Sequence, residues 1–349
     1  MASASEAAPK LAPALLAWAE RDGRHDLPWQ HPRTPYRVWV AEVMLQQTQV
    51  ATVRPYFERF VARFPDVGAL AAAPLEAVLG LWAGLGYYAR AINLHRAARR
   101  LVEAHDGRLP ADFEALRRLP GVGRSTAGAI LALAFGGRRP ILDANARRVL
   151  ARVFAVDGDA SHPETRRRLW ELAEACTPRT RVAEYTQAIM DLGAMVCARS
   201  RPRCAACPLG GFCLAKAEGR QDELPARAGR RPRPRRTACA LVLTDAEGSL
   251  LLERRPPRGV WAGLWGFPTF ETEAAAVEWL AAAFPGVASP AAPQGRQRHV
   301  FTHFELDLRL LRAAVRSSRP PVPGPDREWH DPALAGIAVT RAVALLRGD

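Results

Sequence analysis

Four cysteines in one short stretch of this sequence are suited to bind a single metal centre. Cys197, Cys204, Cys207 and Cys213 are separated by six, two and five residues. A structural zinc site usually has two Cys-x-x-Cys pairs with a longer stretch between them, whereas only the middle two cysteines form such a pair here. The two outer cysteines instead suit an iron–sulfur cubane, in which each of four irons takes one thiolate. The spacing therefore favours an iron–sulfur cluster, with zinc and then disulfide bonds as the alternatives.

The charge of the chain indicates a nucleic-acid partner. The formal net charge is +14 and the sequence pI is about 10.6. Arginine provides almost all of the positive charge, because Lys10 and Lys216 are the only lysines. Phosphate contacts release counterions, which makes a nucleic acid the leading partner for such a field. A basic surface that is merely solvated and a non-catalytic RNA-binding protein are the alternatives.

Length and hydropathy indicate two domains without a membrane segment. The 349 residues, of which 48% are hydrophobic, suffice for two ordinary cores. No apolar run approaches the length of a membrane-spanning helix, so we expect no membrane partner. The apolar stretch 11–19 continues into Glu20-Arg21-Asp22, which fits an amphipathic helix better than a secretion signal. We therefore expect a cytoplasmic protein.

Residues 1–217 have the pattern of a mainly helical domain. Apolar residues recur at intervals of three and four, and proline or glycine marks the joints between the runs. The runs that predict helices are 38–50, 75–81, 92–102, 127–135, 145–156 and 169–175. Residues 218–236 are rich in proline and arginine and cannot bury a core, which predicts an extended linker.

Residues 237–349 predict a small α+β domain. Strand-like segments at 238–244 and 249–253 flank Asp245-Ala246-Glu247-Gly248, a hairpin signal, and residues 275–284 predict a helix. Apolar residues at alternate positions from Val300 to Leu310 predict a further strand, because successive side chains of a strand point to opposite faces.

A Gly-x-Gly turn between two predicted helices could bind a phosphate. The segment 116–128 is Leu-Arg-Arg-Leu-Pro-Gly-Val-Gly-Arg-Ser-Thr-Ala-Gly. Gly121 and Gly123 let the backbone approach a ligand closely, and the following helix presents free N–H groups and the positive end of its dipole. These features are typical of a helix-hairpin-helix clamp on the DNA backbone. An ordinary helix connection is the alternative.

The hairpin, the cysteine pattern and an aspartate about twenty residues beyond the hairpin together resemble the endonuclease III superfamily of DNA base-excision glycosylases. Within that superfamily the sequence is similar to the MutY-type adenine DNA glycosylases. The segments that carry the resemblance are Leu27-Pro28-Trp29, Trp-Val-Ala-Glu-Val-Met-Leu-Gln-Gln-Thr-Gln-Val at 39–50, Gly-Leu-Gly-Tyr-Tyr-Ala-Arg at 84–90, Ile-Leu-Asp-Ala-Asn at 141–145 and Met-Asp-Leu-Gly-Ala at 190–194. The resemblance implies a helix-hairpin-helix glycosylase domain with an iron–sulfur loop, followed by a Nudix-like domain.

Glu42 is the candidate general acid. It lies on a predicted apolar helix near Val38 and Val43, and partial burial would raise its pKa so that it holds a proton near neutral pH. Adenine leaves deoxyribose poorly unless its ring is protonated, and the resemblance assigns that protonation, at N7, to Glu42. A surface glutamate on an amphipathic helix is the alternative.

Asp143 is the second candidate carboxylate. Its position before a predicted helix is typical of an N-cap. The resemblance implies in addition that it stabilises the oxocarbenium-like sugar, and that Asn145 holds Asp143 or the sugar–phosphate in place.

Ser125 stands where related glycosylases that also cut the strand carry a lysine for Schiff-base attack. Efficient lyase chemistry is therefore not expected.

The same resemblance assigns further residues to the extruded base and to the gap that it leaves. Planar or amide side chains can fill such a gap in the base stack. The wedge candidates are Leu45, Gln46, Gln47 and Tyr87. Trp29 and Gln187 resemble residues of the adenine pocket.

The C-terminal domain resembles a Nudix fold without its hydrolytic helix. Nudix hydrolysis needs an Arg-Glu-x-x-Glu-Glu helix, and residues 274–283 offer only Glu278, so we expect no hydrolase activity. The segment Phe301-Thr302-His303 resembles the Phe-Ser-His loop that senses 8-oxoguanine opposite adenine. Strand alternation would set Thr302 apart from Phe301 and His303, so either the strand begins later or Thr302 is not the contact.

The sequence therefore predicts a monofunctional DNA glycosylase with a 4Fe–4S cluster. It would remove adenine mispaired with 8-oxoguanine or guanine in double-stranded DNA, as a monomer associated with the nucleoid of a bacterial cytoplasm. A bifunctional pyrimidine-lesion glycosylase, a non-catalytic nucleic-acid binder and a nucleotide hydrolase are the alternatives. Ser125 and the second domain disfavour the first, Glu42 and Asp143 disfavour the second, and the missing Nudix helix disfavours the third.

Overall fold

The chain divides into two compact units. In the computed structural model, which describes residues 4–226, 232–256, 259–301, 303–331, 333, 339–340 and 342–344, one unit is Met1–Ala72 with Ile92–Gly229. The other unit is Ala73–Ala91 with Arg230–Asp349. It thus includes a helical segment that the sequence assigned to the first domain. The ranges 1–217, 218–236 and 237–349 stay a prediction.

Helices dominate the first part of the chain. Their bounds are α1 (Ala4–Asp22), α2 (Pro35–Met44), α3 (Val50–Arg63), α4 (Val67–Ala72), α5 (Leu75–Trp82), α6 (Ala89–His105), α7 (Phe113–Arg117), α8 (Arg124–Phe135), α9 (Ala144–Val153), α10 (Pro163–Cys176), α11 (Val182–Met195) and α12 (Leu214–Ala217), with a 3-10 turn at Cys204–Ala206 and a later α13 (Glu273–Ala283).

The helix predictions are confirmed with one exception. The segments 75–81, 92–102, 127–135, 145–156 and 169–175 fall largely within α5, α6, α8, α9 and α10. The prediction of one helix over 38–50 is wrong, because α2 ends at Met44 and α3 begins at Val50. Gln47 has a φ of 60° in the turn between them, which a continuous right-handed helix does not allow. Gln46 and Gln47 therefore lie in a turn.

The core of the first unit forms where α1, α8, α9, α10 and α11 pack together. Leu11, Leu15 and Trp18 of α1 are almost completely buried in it, together with Val149 and Ile189. Their spacing of four and three confirms the amphipathic helix predicted near the start of the chain. Throughout the described residues, no helix is both long and apolar enough to cross a membrane.

A mixed sheet organises the second unit. Its strands are β1 (Arg235–Thr244), β2 (Leu250–Arg254), β3 (Trp265–Gly266), β4 (Thr269–Phe270), β5 (Ala292–Val300), β6 (Glu305–Ala314) and β7 (Arg327–His330). The central path runs β3-β2-β1-β6-β5, while β4 pairs with β1 and β7 pairs with β2. The β1 and β6 strands are parallel, and the other pairs are antiparallel.

The side chains of β1 alternate between two apolar clusters. Leu241 and Leu243 pack in one cluster with Leu280 of α13. Ala240 and Val242 belong to the other cluster. From Cys239 to Leu243 the strand is buried on both faces, and its sequence there is continuously apolar, as is typical of a central strand. The α+β fold predicted for this part of the chain is confirmed.

Two connections between neighbouring strands of this sheet bear on predictions from the sequence. The predicted hairpin at 245–248 is confirmed, since β1 and β2 are antiparallel and the N–H of Asp245 donates to the carbonyl of Ser249 at 3.0 Å. The prediction of one strand from Val300 to Leu310 is wrong at its start. The β5 strand ends at Val300 and β6 begins at Glu305, so two strands stand where one was predicted. The alternative in which the strand begins later is the one that the structure has.

Candidate active site and metal centre

Glu42 lies in the last turn of α2 among apolar neighbours. Val38, Trp39 and Val43 of the same helix are almost completely buried, and Glu42 itself is half-buried. Burial and, in second place, the negative charge of Asp143 raise the pKa of Glu42 to about 8. The side chain therefore carries a proton at neutral pH, as a general acid must before it acts.

Asp143 is the N-cap of α9. Its carboxylate accepts hydrogen bonds from the N–H groups of Ala146 at 2.8 Å and Asn145 at 3.2 Å, which satisfy donors that the first turn of a helix leaves open. Burial raises the pKa of Asp143, and the two hydrogen bonds oppose that rise. The capping and catalytic interpretations are compatible, because capping fixes the carboxylate while it stays close enough to affect the pKa of Glu42.

Ser125 supports the segment that leads into Asp143. Its Oγ accepts a hydrogen bond from the N–H of Leu142 at 2.9 Å, and the side chain is half-buried in the first turn of α8. This bond ties the start of α8 to the residue immediately before the catalytic candidate.

Asn145 lies in the first turn of α9, packed closely against α11. A Cβ added at Gly193 of α11 would come within 2.6 Å of the Cβ of Asn145, so this approach requires glycine. Arg148 donates from Nη2 to Oδ1 of Asn145 at 2.8 Å and to the carbonyl of Gly193. Its Nε donates to the carbonyl of Cys197 at 2.6 Å. Arg148 thereby joins the Asp143 end of α9 to the first cysteine of the cluster.

The Gly-x-Gly turn between α7 and α8 has the geometry of a backbone clamp. Gly121 has a φ of 78°, and a Cβ there would lie 2.9 Å from the Cβ of Asn93. Gly123 is the N-cap of α8, and no side-chain hydrogen bond caps the helix. The first N–H groups of α8 can therefore meet an external acceptor. Gln46 donates from Nε2 to Oγ1 of Thr126 at 3.3 Å, which ties the turn after α2 to this hairpin.

The other wedge candidates differ in exposure. Leu45 is half-buried at the C-cap of α2, whereas Gln47 is exposed. Tyr87, in the second unit, is 50% exposed and has a φ of 51°, both of which are unusual for a tyrosine. Tyr88 is half-buried, and its hydroxyl oxygen accepts a hydrogen bond from the N–H of Gly84 at 3.3 Å. Tyr87 is thus the more available of the two neighbouring tyrosines.

The two adenine-pocket candidates lie on segments that an ion pair joins. Trp29 is buried, and its ring packs edge-on against Phe57 at 5.3 Å. Gln187 donates from Nε2 to Oδ1 of Asp191 at 2.9 Å. Arg24, five residues before Trp29, donates from Nε to the same Oδ1 at 2.7 Å. Asp191 is 1% exposed, so removal of Arg24 would leave a buried charge without its partner.

Sequence reasoning missed Arg24, Asp191, Arg148 and Arg152. A signal existed for Asp191, because a carboxylate within apolar α11, four residues after Gln187, needs a buried partner. A signal also existed on α9, where the two arginines are four residues apart and so share one helix face. The choice of Arg24 as partner had no sequence signal, since it lies 167 residues from Asp191.

The four cysteines line one cavity and are not disulfide-bonded. Burial raises the pKa of Cys207 to about 11, and the charges of the other three add to the rise, which shows their mutual proximity. Within the described residues, no three histidine, cysteine, aspartate or glutamate side chains converge on one ion. Four thiols that line one cavity are the donor set that a cluster with one thiolate per iron requires, so the residues present fit such a group.

Arg152 fixes the loop around the first cysteine. It is 2% exposed, and its Nη1 lies 3.3 Å from Sγ of Cys197 and donates to the carbonyl of Ala198 at 2.7 Å. Its Nε donates to the carbonyl of Leu224 at 2.9 Å. A cation in this position would also stabilise thiolates at the centre.

The candidate base-sensing segment occupies the turn between β5 and β6. Phe301 is half-buried and His303 is exposed, whereas Thr302 lies outside the described residues. The N–H of Phe301 donates to the carbonyl of Phe304 at 2.9 Å, which closes the turn. The two described side chains therefore lie in a turn and not within a strand.

Two protein-family models match the chain. That of the HhH-GPD superfamily base excision DNA repair proteins matches residues 40–175, and that of the NUDIX domain matches residues 239–346. The first range contains Glu42, the Gly-x-Gly hairpin and Asp143. The second contains almost the whole sheet and the β5–β6 turn. The predicted fold class is confirmed for both parts of the chain.

Individual proteins give the same assignment. The adenine DNA glycosylase of Buchnera aphidicola subsp. Acyrthosiphon pisum (strain APS) is 36% identical over 266 residues, 76% of this chain and 76% of that relative. The adenine DNA glycosylase of Homo sapiens is 35% identical over 368 residues, 88% of this chain and 67% of that relative. The structure of a thermostable thymine-DNA glycosylase matches 61% of this chain and 98% of its own, with a TM-score of 0.55 and 28% identity. The chain therefore belongs to the family of adenine DNA glycosylases, within the HhH-GPD superfamily of base excision DNA repair proteins.

Proposed function

We propose that this enzyme removes adenine mispaired with 8-oxoguanine or guanine in double-stranded DNA, and that it acts as a monofunctional glycosylase. The observation that carries the proposal is the pairing of two unlike carboxyl groups. Glu42 is half-buried with a pKa raised to about 8, and Asp143 is anchored as the N-cap of α9. Family membership supports adenine as the base.

Glu42 supplies the proton that makes adenine a leaving group. Protonation at N7 draws electrons from the glycosidic bond, so the bond from the sugar to N9 breaks and the electron pair leaves with the base. A glutamate with an ordinary pKa would be ionised at neutral pH and could not do this. The apolar environment of α2 and the like charge of Asp143 support the role, because both keep the proton on Glu42.

Asp143 stabilises the positive charge that remains on the sugar. The oxocarbenium-like transition state requires a nearby carboxylate, by the logic of glycoside cleavage in general. The bonds from Ala146 and Asn145 support this role, since they favour the ionised form and fix its direction. Asn145 is the positioning residue beside it, and water completes the reaction at the sugar carbon.

The remaining candidates bind the DNA. The N–H groups at the start of α8 would hold a backbone phosphate at the hairpin of Gly121 and Gly123. We assign the gap left by the extruded adenine to Gln47 and Tyr87, with Leu45 and Gln46 nearby, and the extruded base to a pocket that includes Trp29 and Gln187. The exposure of Gln47 and of Tyr87 supports the wedge role.

The absence of a suitably placed lysine supports hydrolysis without strand cleavage. Ser125 occupies the position of the lyase lysine in related enzymes, and its Oγ is engaged with the N–H of Leu142. Schiff-base chemistry needs an amine at the sugar, which a hydroxyl cannot replace.

The cysteines and the second unit complete the proposal. Cys197, Cys204, Cys207 and Cys213 would hold a 4Fe–4S cluster, whose chemistry at this site is to bind four thiolates and so order a loop that contains three arginines, at 199, 201 and 203. The turn of Phe301, Thr302 and His303 would contact the base opposite adenine. We further propose the domain ranges 1–217, 218–236 and 237–349 and a monomeric enzyme.

We expect strand breaks only after alkali. Duplexes that carry adenine opposite 8-oxoguanine or opposite guanine, labelled on the adenine strand, are incubated with the enzyme and analysed with and without hot alkali. Base removal leaves an abasic site, which alkali converts into a break, whereas a lyase breaks the strand unaided. Breaks without alkali would contradict the monofunctional assignment, and no breaks at all would contradict the substrate.

Glu42→Gln should lower single-turnover adenine release by at least about a thousandfold, because the amide cannot donate the proton. Binding of the mispaired duplex should stay within severalfold of the unchanged enzyme. The matched control is Glu58→Gln, which makes the same change at an exposed position on α3 and should release adenine normally. Near-normal adenine release by the Glu42 variant would contradict the assignment of Glu42 as the general acid.

The single-turnover rate should fall as the pH rises through about 8, where Glu42 loses its proton. Above that pH the rate should drop about tenfold per unit. The raised pKa also means that the folded chain holds a proton that the unfolded chain has lost, so the free energy of unfolding decreases between pH ~4.3 and about 8. A pH profile of release, with DNA binding measured in parallel, checks this. A rate that is constant to pH 10 would contradict the assignment.

Purified enzyme should contain about four irons and four sulfides per chain and show a broad absorption near the blue edge of the visible range. Removal of iron by a chelator should abolish the absorption and destabilise the first unit, because Cys197 and Cys213 would both be held by the cluster. Metal analysis and the spectrum are independent of catalysis. A colourless protein with one zinc per chain would overturn the cluster assignment.

A further inference from the structure

The β5–β6 turn packs on aromatic side chains. Phe301 and Phe304, at its two ends, stack with ring centres 4.9 Å apart and planes inclined by 30°. The guanidinium of Arg236 lies 4.5 Å over the ring of Phe304. The N–H of Glu305 donates to the carbonyl of Pro234 at 3.0 Å, which fixes the start of β6 to the residues before β1. Residues at the start of β1 and just before it therefore hold the end of the turn in place.

Trp261, from the segment between β2 and β3, forms a second support. Its ring meets Phe301 edge-on at 5.4 Å, with an angle of 71° between the planes. It also meets His299, the residue two before Phe301, edge-on at 5.0 Å and 86°. His299 is buried, and its Nε2 lies 3.2 Å from Oε1 of Gln297. One indole thus contacts both the last part of β5 and the first residue of the turn.

The backbone at Trp261 has a conformation that its side chain alone would not favour. Its φ is 56°, in the left-handed region that bulky residues seldom adopt. The carbonyl of Trp261 accepts from the N–H of Leu264 at 3.1 Å, and the N–H of Gly263 donates to the carbonyl of Arg255 at 3.2 Å. Such strained residues persist only where surrounding contacts hold them, and they cluster at functional sites. The indole is therefore held in place against Phe301.

We propose that Trp261 is a positioning residue for the turn at 301–303, and through it a determinant of which base is accepted opposite adenine. This inference rests on the proposed function, in which that turn contacts the opposite base. 8-Oxoguanine differs from guanine by an oxygen at C8 and by a hydrogen on N7, where guanine has an acceptor, so a hydrogen bond can distinguish them only if the turn is held to within a few tenths of an ångström. Trp261 supplies that restraint without touching the DNA base itself.

The test uses the full chain and compares single-turnover adenine release from duplexes with 8-oxoguanine and with guanine opposite adenine. Trp261→Ala should reduce the ratio of the two rates about tenfold, since the larger loss falls on the 8-oxoguanine substrate. Trp261→Phe keeps an aromatic edge toward Phe301 and should restore most of the ratio. Trp261→Leu keeps apolar bulk without that edge and should resemble the alanine variant.

Trp279→Ala is the matched control. Its ring contacts Phe270, Phe284 and Arg327 of the same unit, and no ring contact joins it to the described turn residues, 301, 303 and 304. It should lower thermal stability while leaving the rate ratio unchanged. If the Trp261→Ala chain does not fold, the comparison of the leucine and phenylalanine variants decides, because both retain apolar volume.

The outcomes separate this inference from the function on which it rests. An unchanged enzyme that releases no adenine from either duplex would refute the proposed function. An enzyme that prefers 8-oxoguanine equally well with and without Trp261, or whose two rates fall by the same factor in the variants, would refute the inference alone. An active enzyme with no preference between the two opposite bases would also refute it.

Discussion

The position of α9 is the constraint on which the proposed chemistry and the cysteine loop both depend. The N-cap of this helix is Asp143, and its side carries Arg148 and Arg152, which donate to the carbonyls of Cys197 and of the residue after it. Gly193 sets the distance to α11, because any larger residue would collide with Asn145. The same ten-residue helix therefore contacts the cysteine loop through its arginines and carries the carboxylate at its N-terminus.

The different roles of the two carboxyl groups follow from their surroundings more than from their residue types. Asp143 accepts two backbone N–H bonds, which stabilise its charge, while Glu42 lies among buried apolar side chains. Burial raises the pKa of both, and their mutual repulsion adds to the rise at Glu42. The backbone hydrogen bonds favour the charged form of Asp143, whereas nothing comparable offsets burial at Glu42, so the surroundings favour different protonation states for the two groups.

Local patterns in the sequence predicted most helices, and they failed where a break carried no local signal. The run 38–50 keeps its apolar spacing through the turn after Met44, and neither glycine nor proline marks the change. The strand beginning at Val300 was misplaced for a related reason. Four residues separate β5 from β6, an even number, so the alternation of period two in the sequence continues into β6 with the same phase. In both cases the break depends on long-range packing.

In the candidate site, too, only features with a local sequence signal could be predicted. Asp143 could be predicted as an N-cap and Glu42 as a buried glutamate, since both follow from neighbours in the chain. The contact of Asp191 with Arg24 could not, because it joins residues 167 apart. The same holds for Arg152, whose partners at 198, 199 and 224 lie in two separate segments outside helices and strands.

The attachment of the β5–β6 turn to Pro234 and Arg236 has a practical consequence for dividing the chain. The apolar pattern of β1 begins near Ala238, which would suggest a C-terminal fragment starting there. Such a fragment would lack the carbonyl that receives the N–H of Glu305 and the cation over Phe304. Its sheet could fold, but the turn would lack these two contacts. A fragment intended to retain the native turn must begin inside the proline-rich stretch, before Pro234, so the functional boundary of this part of the chain precedes the boundary of its hydrophobic core.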